Sequence, residues 1–173
     1  MICSSCQQTS AKHKAKLECS LCQAAICKSC AHIIDPVDFA FAASFTTTLA
    51  GGTYCPACFD SQIQPSVTLY EQTATAARDV AVFFKTQSKE TRLLSRLEKP
   101  LTIDHCADRD EAIMHLAFLA TRAGFNGLID VDVSSRKVRN EAYQTLVWKA
   151  SGVPCEVSEA KLIKDRSFRT DPN

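Results

Sequence analysis

CSSCQQTSAKHKAKLECSLCQAAICKSC, residues 3–30, together with YCPACF at residues 54–59, is the stretch on which the fold turns. It contains four CxxC units, Cys3/Cys6, Cys19/Cys22, Cys27/Cys30 and Cys55/Cys58, separated by 12, 4 and 24 residues. Two intervening residues let a tight turn aim both thiolates at one ion, and tetrahedral zinc takes four such ligands. Eight sulfurs therefore make two closed structural sites, with no coordination position left for a catalytic water. The four-residue gap reads as a short hairpin whose two ends serve different ions. That predicts a cross-brace, with Cys3, Cys6, Cys27 and Cys30 on the first zinc and Cys19, Cys22, Cys55 and Cys58 on the second. Sequential pairing along the chain is the alternative that spacing leaves open.

Three other uses of paired cysteines compete with zinc. A disulfide framework suits a secreted chain, but MICSSC shows neither a basic n-region nor an apolar h-region, so the expected location is cytoplasmic, at most peripheral to a membrane. A redox CxxC comes singly on a βαβ unit, and bacterial ferredoxin runs end in a Cys-Pro pair with other spacing. Two structural Zn²⁺ are the expected cofactors.

Outward from the cysteines, composition shifts near Pro65. Residues 1–65 hold eight of the ten cysteines and no arginine, while 66–173 hold every arginine and only Cys106 and Cys155, which places a domain boundary at about 60–66. The chain of 173 residues is 46% hydrophobic and 23% charged, a globular composition with room for one or two cores. Its net charge of +1 offers no global basic field, so nucleic acid is not the expected partner. No apolar run approaches the roughly 20 residues that span a bilayer.

In residues 66–173, apolar positions from Leu69 to Leu97 recur at helical steps, and the spacing predicts a helix closed by Pro100, with a strand at Val80–Phe84 as the alternative. Leu101–His105 reads as a strand. Asp108–Ala123 reads as a helix with Ile113, Leu116, Ala117 and Ala120 on one face and Gly124 just past its end. Gly127–Val133 and Ala142–Ala150 alternate as strands, with Ser135–Asn140 as the turn and Val153, Cys155 and Val157 continuing the pattern. The tail beyond Lys164 is polar. The fold class is α+β: a small two-zinc finger followed by an α-β-α-β-β domain with helices packed on a mainly antiparallel sheet.

The spacing CSSC, CSLCQAAIC, KSC and YCPACFDSQ resembles the FYVE and FYVE-related zinc fingers over residues 1–62, with Ile26 at the apolar position before the fifth ligand and Phe59 after the last. The resemblance implies two short hairpins and a C-terminal helix. This chain departs where phosphoinositide binders carry an R(R/K)HHCR run: here stands His13-Lys14-Ala15-Lys16-Leu17-Glu18-Cys19-Ser20, without the arginines or paired histidines. There is no WxxD and no apolar tip in Gln7–Ser10. Residues 1–65 balance four lysines against four acids, and eight thiolates on two Zn²⁺ add about four negative charges. Further on, DEAIMHLAFLATRAGFNGLIDVDV and YQTLVWKASGVPCEV resemble the YbjQ-like family of small α+β proteins over about 50 residues. That likeness is carried by Gly124-Phe125-Asn126-Gly127, and it implies a heavy-metal association and oligomerisation.

Other candidate residues are few. The insertion 31–54 carries Phe39, Phe41, Phe45 and Leu49, a large apolar load expected to fold onto the following domain or to meet a partner or membrane. Lys12, Lys14 and Lys16 are the candidate lipid- or partner-binding cations. Cys106 beside His105 lies at a helix start, where a thiol pKa can fall, but with no base or oxyanion site to name it reads as buried or capping a turn. Asp130 and Asp132 share a strand face that suits a cation, and they read first as its solvated side. His115 reads as packing or surface. With no triad, P-loop or GxGxxG, the expected function is non-catalytic: an adaptor with a protein partner, an α+β domain for interaction or homo-oligomerisation, and acidic-membrane or phosphoinositide contact as the alternative.

Overall fold

A computed structural model describes residues 2–8, 14–41, 49–140 and 143–158. It divides into two compact units, residues 1–72 and 73–173. Lys12 and Phe45 lie outside the described residues.

In the first unit, β1 (Leu17–Glu18) pairs antiparallel with β2 (Ala25–Ile26), and β3 (His32–Ile34) pairs antiparallel with β4 (Gly52–Tyr54). Pro56 then opens a helical turn, α1 (Pro56–Cys58), where a missing N–H costs nothing. The chain continues through a π-helical segment, Phe59–Ile63, into α2 (Gln64–Ala77). Pro65 thus does not break the helix. The wider π turn lies where proline removes a donor and crowds the carbonyl four residues back. Ile26, Leu49 and Ile63 are fully buried, joined by Ile34, Phe41, Tyr54, Val67 and Tyr70.

The described part of the insertion folds onto the start of α2, within this unit. Asp35 caps a 3-10 turn, Pro36–Asp38, by accepting the Val37 N–H at 3.0 Å. Phe39 meets the Tyr70 ring edge-on with centroids 5.1 Å apart, and the buried Phe41 donates its N–H to the Tyr70 hydroxyl at 3.3 Å.

The second unit contains β5 (Ala81–Phe84), β6 (Leu101–Cys106), α3 (Arg109–Arg122), β7 (Gly127–Asn140) and β8 (Tyr143–Cys155). The sheet order is β5-β7-β8-β6, with β5 parallel to β7 and the other pairs antiparallel. It is a mixed α+β arrangement with one strand more than the sequence predicts. The helix expected through Leu97 stops at Ala77, because the β-branched and aromatic Val80–Phe84 run pairs with β7 instead, anchored by the Ala81 N–H on the Asn126 carbonyl at 3.0 Å. Ser135–Asn140 is not a turn: β7 runs on to Asn140, which pairs with Tyr143.

Helix α3 forms as its sequence predicts. Asp108 accepts the Glu111 N–H at 2.7 Å as N-cap, and Leu116, Ala117, Phe118 and Ala120 are buried. Past Ala123, Gly124 takes φ +86, so that its N–H reaches the Thr121 carbonyl and that of Phe125 the Ala120 carbonyl, both at 2.9 Å. Leu128 and Ile129 are neighbours on β7, both fully buried, and strand geometry sends them to opposite faces, so that end of the sheet is covered on both sides. Leu94, Cys155 and Val157 close over Ile129. Asn126 clamps the end of the chain's described part: its Nδ2 donates to the Val157 carbonyl at 2.8 Å, and its Oδ1 accepts the Val157 N–H at 2.7 Å.

Candidate metal centre

The structure gathers eight cysteines into two groups, Cys3 with Cys6, Cys27 and Cys30, and Cys19 with Cys22, Cys55 and Cys58. Within each group the sulfurs all lie within 4.8 Å of one another. These are the same interleaved sets that the spacing predicts, and the sequential alternative is not what is found. None of the ten cysteines is in a disulfide. Two of these separations fit one tetrahedral ion closely: Cys6 and Cys27 sulfurs are 4.0 Å apart and those of Cys22 and Cys55 3.8 Å, where metal–sulfur bonds near 2.3 Å require about 3.8 Å. Each group could hold a metal ion.

Both groups share the same three backbone bonds. In the first, Gln7 closes the CxxC turn by donating its N–H to the Cys3 carbonyl at 2.9 Å, and in the second Gln23 does so to Cys19 at 2.9 Å. These glutamines sit at φ +53 and +61, the left-handed residue that lets the chain leave each knuckle. The Ser4 N–H then reaches the Ala25 carbonyl at 2.9 Å, and the Ser20 N–H reaches the Thr53 carbonyl at 2.8 Å. These bonds dock each turn on the strand that delivers the second cysteine pair. Finally the Cys27 N–H donates to Cys3 Sγ at 3.3 Å and the Cys55 N–H to Cys19 Sγ at 3.4 Å. The repeated Cys-x-x-Cys-Gln was the sequence signal for this duplication, and reading the cysteines alone missed the glutamine. Beside the second group, Phe59 stacks on His32 with centroids 4.2 Å apart.

Electrostatics also ask for a cation. Backbone N–H groups of Cys6, Cys27 and Ser5 bring the Cys3 thiol down to about 6 against the cost of burial. For Cys19, burial pushes up, but the N–H groups of Cys22, Cys55 and Leu21 outweigh it and the value is again about 6. The opposite members are driven up to about 12, Cys30 through hydrogen bonding with the Cys27 sulfur and Cys58 through the sulfurs of Cys55 and Cys22. Four crowded sulfurs become thiolates together at neutral pH when a divalent ion balances them.

Cys106 is buried, and desolvation, then Glu111, Asp104 and Asp108, push its thiol up, the opposite of the lowered pKa that a helix start can give. Asp130 and Asp132 already hold side-chain cations: Asp130 takes both Arg96 Nε at 2.8 Å and Nη2 at 3.3 Å, and Asp132 lies 3.4 Å from Lys85 Nζ. A β-bulge between Ile129 and Asp132, with Asp130 at φ +53, breaks the simple alternation that grouped them. His115 is half-buried on α3, and burial holds its imidazole below the ordinary value. Lys14 and Lys16 are exposed, whereas Phe41 is buried and Phe39 is half-buried against Tyr70.

Among the described residues no helix is long and apolar enough to cross a membrane, and no further cluster of three or more His, Cys, Asp or Glu side chains could hold a metal. Comparison with protein-family models, with curated proteins and with solved structures gives no match.

Proposed function

We propose that the first unit is a two-zinc cross-brace finger, FYVE-like without the phosphoinositide signature, serving as a non-catalytic protein-interaction module coupled to the α+β unit. The observation that carries this is the pair of four-sulfur groups. Four thiolates fill a tetrahedral ion's coordination, so neither site keeps a position for a reacting water or substrate. The donor set suits zinc or iron; the spacing suits a single ion and is too narrow for a cluster, and the reading adopted is zinc, which elemental analysis separates from a lone iron. A protein partner is supported by apolar side chains left in water on the finger, Ile33 at 67% and Val37 at 83% exposure, with Ile2 and Leu21 also exposed. The membrane-surface alternative keeps Lys14 and Lys16 but loses the buried Phe41.

Native mass spectrometry with elemental analysis tests the metal: two zinc ions per chain are expected, and a disulfide-bonded chain without metal defeats the proposal. Ile33→Asp with Val37→Asp should abolish partner capture while leaving both ions bound. Turnover that disappears with the cysteine ligands would overturn the non-catalytic assignment. Cosedimentation with phosphoinositide vesicles that is lost on Lys14→Glu and Lys16→Glu would move the function to the membrane surface.

A further inference from the structure

The β7–β8 hairpin outgrows its sheet. Strand β5 last pairs with β7 at Val131, and β6 last pairs with β8 at Trp148. Beyond those rungs, Arg136–Asn140 and Tyr143–Val147 continue as a ribbon only two strands wide, five residues a side, extending about 16 Å. Such a ribbon has little to bury alone and is marginal in water, which calls for a function or a partner.

Its charge is distinctive. The hairpin with its base, residues 133–149, holds Arg136, Lys137 and Arg139 on the ribbon and Lys149 one rung inside the sheet, against Glu141, a net +3, whereas the whole chain carries +1. All four cations are exposed. Arg136 is partly engaged, 3.5 Å from Asp104 and 3.2 Å from His105 Nε2, and Lys149 faces the same Asp104 carboxylate and helps hold it low, whereas Lys137 and Arg139 make no salt bridge among the described residues. The register distributes the cations over both faces: Arg136 and Lys149 lie on one, Lys137 and Arg139 on the other. At the far end Tyr143 is 78% exposed beside its cross-strand partner Asn140.

We infer that this ribbon is a DNA-binding arm that enters the major groove of duplex DNA. A second copy's ribbon would set like charges against like, and edge lysines discourage strand pairing. A flat anionic membrane would engage one face and leave the other's cations idle. A groove roughly 12 Å wide admits a two-stranded ribbon and has phosphates on both walls, so it meets both faces at once. Arg136, Lys137, Arg139 and Lys149 contact phosphates, and Tyr143 reaches in from the tip. The inference does not depend on what the cysteine groups hold. It also revises the expectation from net charge, which averages away a field that the hairpin concentrates.

The test is fluorescence anisotropy of the full metal-loaded chain with labelled 20-base-pair duplex DNA, duplex RNA of the same sequence, and phosphatidylserine vesicles. DNA binding is expected with log affinity falling against log salt at a slope of about −3 to −4, and RNA should bind at least 10-fold more weakly because the A-form major groove is too narrow. Lys137→Glu with Arg139→Glu should lower DNA affinity at least 10-fold and reduce the slope by about 2, with circular dichroism unchanged. Lys28→Glu on the finger should do nothing. No DNA binding at 50 mM salt, equal binding to RNA or vesicles, or an affinity indifferent to Lys137 and Arg139 would each overturn the inference.

Discussion

The two units solve the same problem of stability with different chemistry. The first has only two-residue and three-residue strands, and beside a small core around Ile26, Leu49 and Ile63 it has two knots of sulfur and backbone N–H groups. The second has a four-stranded sheet with α3 packed on one face and the Leu94 cluster on the other, held by Phe118, Leu116, Leu128, Ile129 and Val131. A small domain with little regular structure gains from ligands that bind only the folded state, whereas a packed sheet depends on area removed from water. The comparison teaches that cysteine spacing can supplement a small core, and that this part of the stability is reversible by chemistry that apolar packing ignores.

The largest expected effect separates the units outright. Removing metal with a strong chelator, or Cys27→Ser, should melt the first unit while the second keeps its helix and sheet signals. Amide exchange resolved by residue measures this, and simultaneous loss of protection in α3 and β7 would mean that the two units share one cooperative core. Next, Phe118→Ala should cost the second unit about 3–5 kcal/mol by opening a cavity in its centre, without changing the metal count. Denaturant unfolding read alongside elemental analysis would detect any leak between the two.

A smaller effect tests how the sheet is closed. Asn126→Ala leaves the Val157 N–H and carbonyl without partners, at a cost of about 1–3 kcal/mol. An effect near zero would show that water replaces the clamp. The smallest is a pH dependence. Burial lowers the His115 pKa although Glu111 nearby raises it, so the folded unit disfavours the imidazolium. Stability of the second unit is therefore whole above the ordinary histidine value near 6.5. It declines as pH falls below that value and levels off once the pH passes below the lowered folded value. His115→Gln should remove this slope, and an unchanged slope would assign it to other groups.

Much of the candidate site was legible because a CxxC turn is a local device. Its geometry depends on four or five consecutive residues, and the 12-, 4- and 24-residue gaps restrict which turns can meet. Helix α3 was legible for the same reason, with Asp108, the apolar face and Gly124 all acting within a few residues of one another. What periodicity misjudged were places where a distant strand competes. Val80–Phe84 has helical spacing in sequence but finds β7, and Ser135–Asn140 is polar enough for a turn yet pairs rung by rung with Tyr143–Trp148. The bulge at Asp130 and the one between Ile103 and Cys106, with His105 at φ +65, likewise arise from fitting two strands together.

The sequence by itself therefore determined the four CxxC turns, the span of α3 with Gly124 past its end and the α+β class, since each follows from residue chemistry at short range, and it favoured the interleaved pairing of those turns that the structure shows. Only the tertiary structure decided that Phe39 packs against Tyr70 and Phe41 is buried, that Cys106 is buried with its thiol pushed up, and that Arg136, Lys137 and Arg139 stand together on a two-stranded ribbon with Lys149 at its base. Burial and electrostatic field depend on which distant segments come to lie beside a residue, and composition averages over that placement.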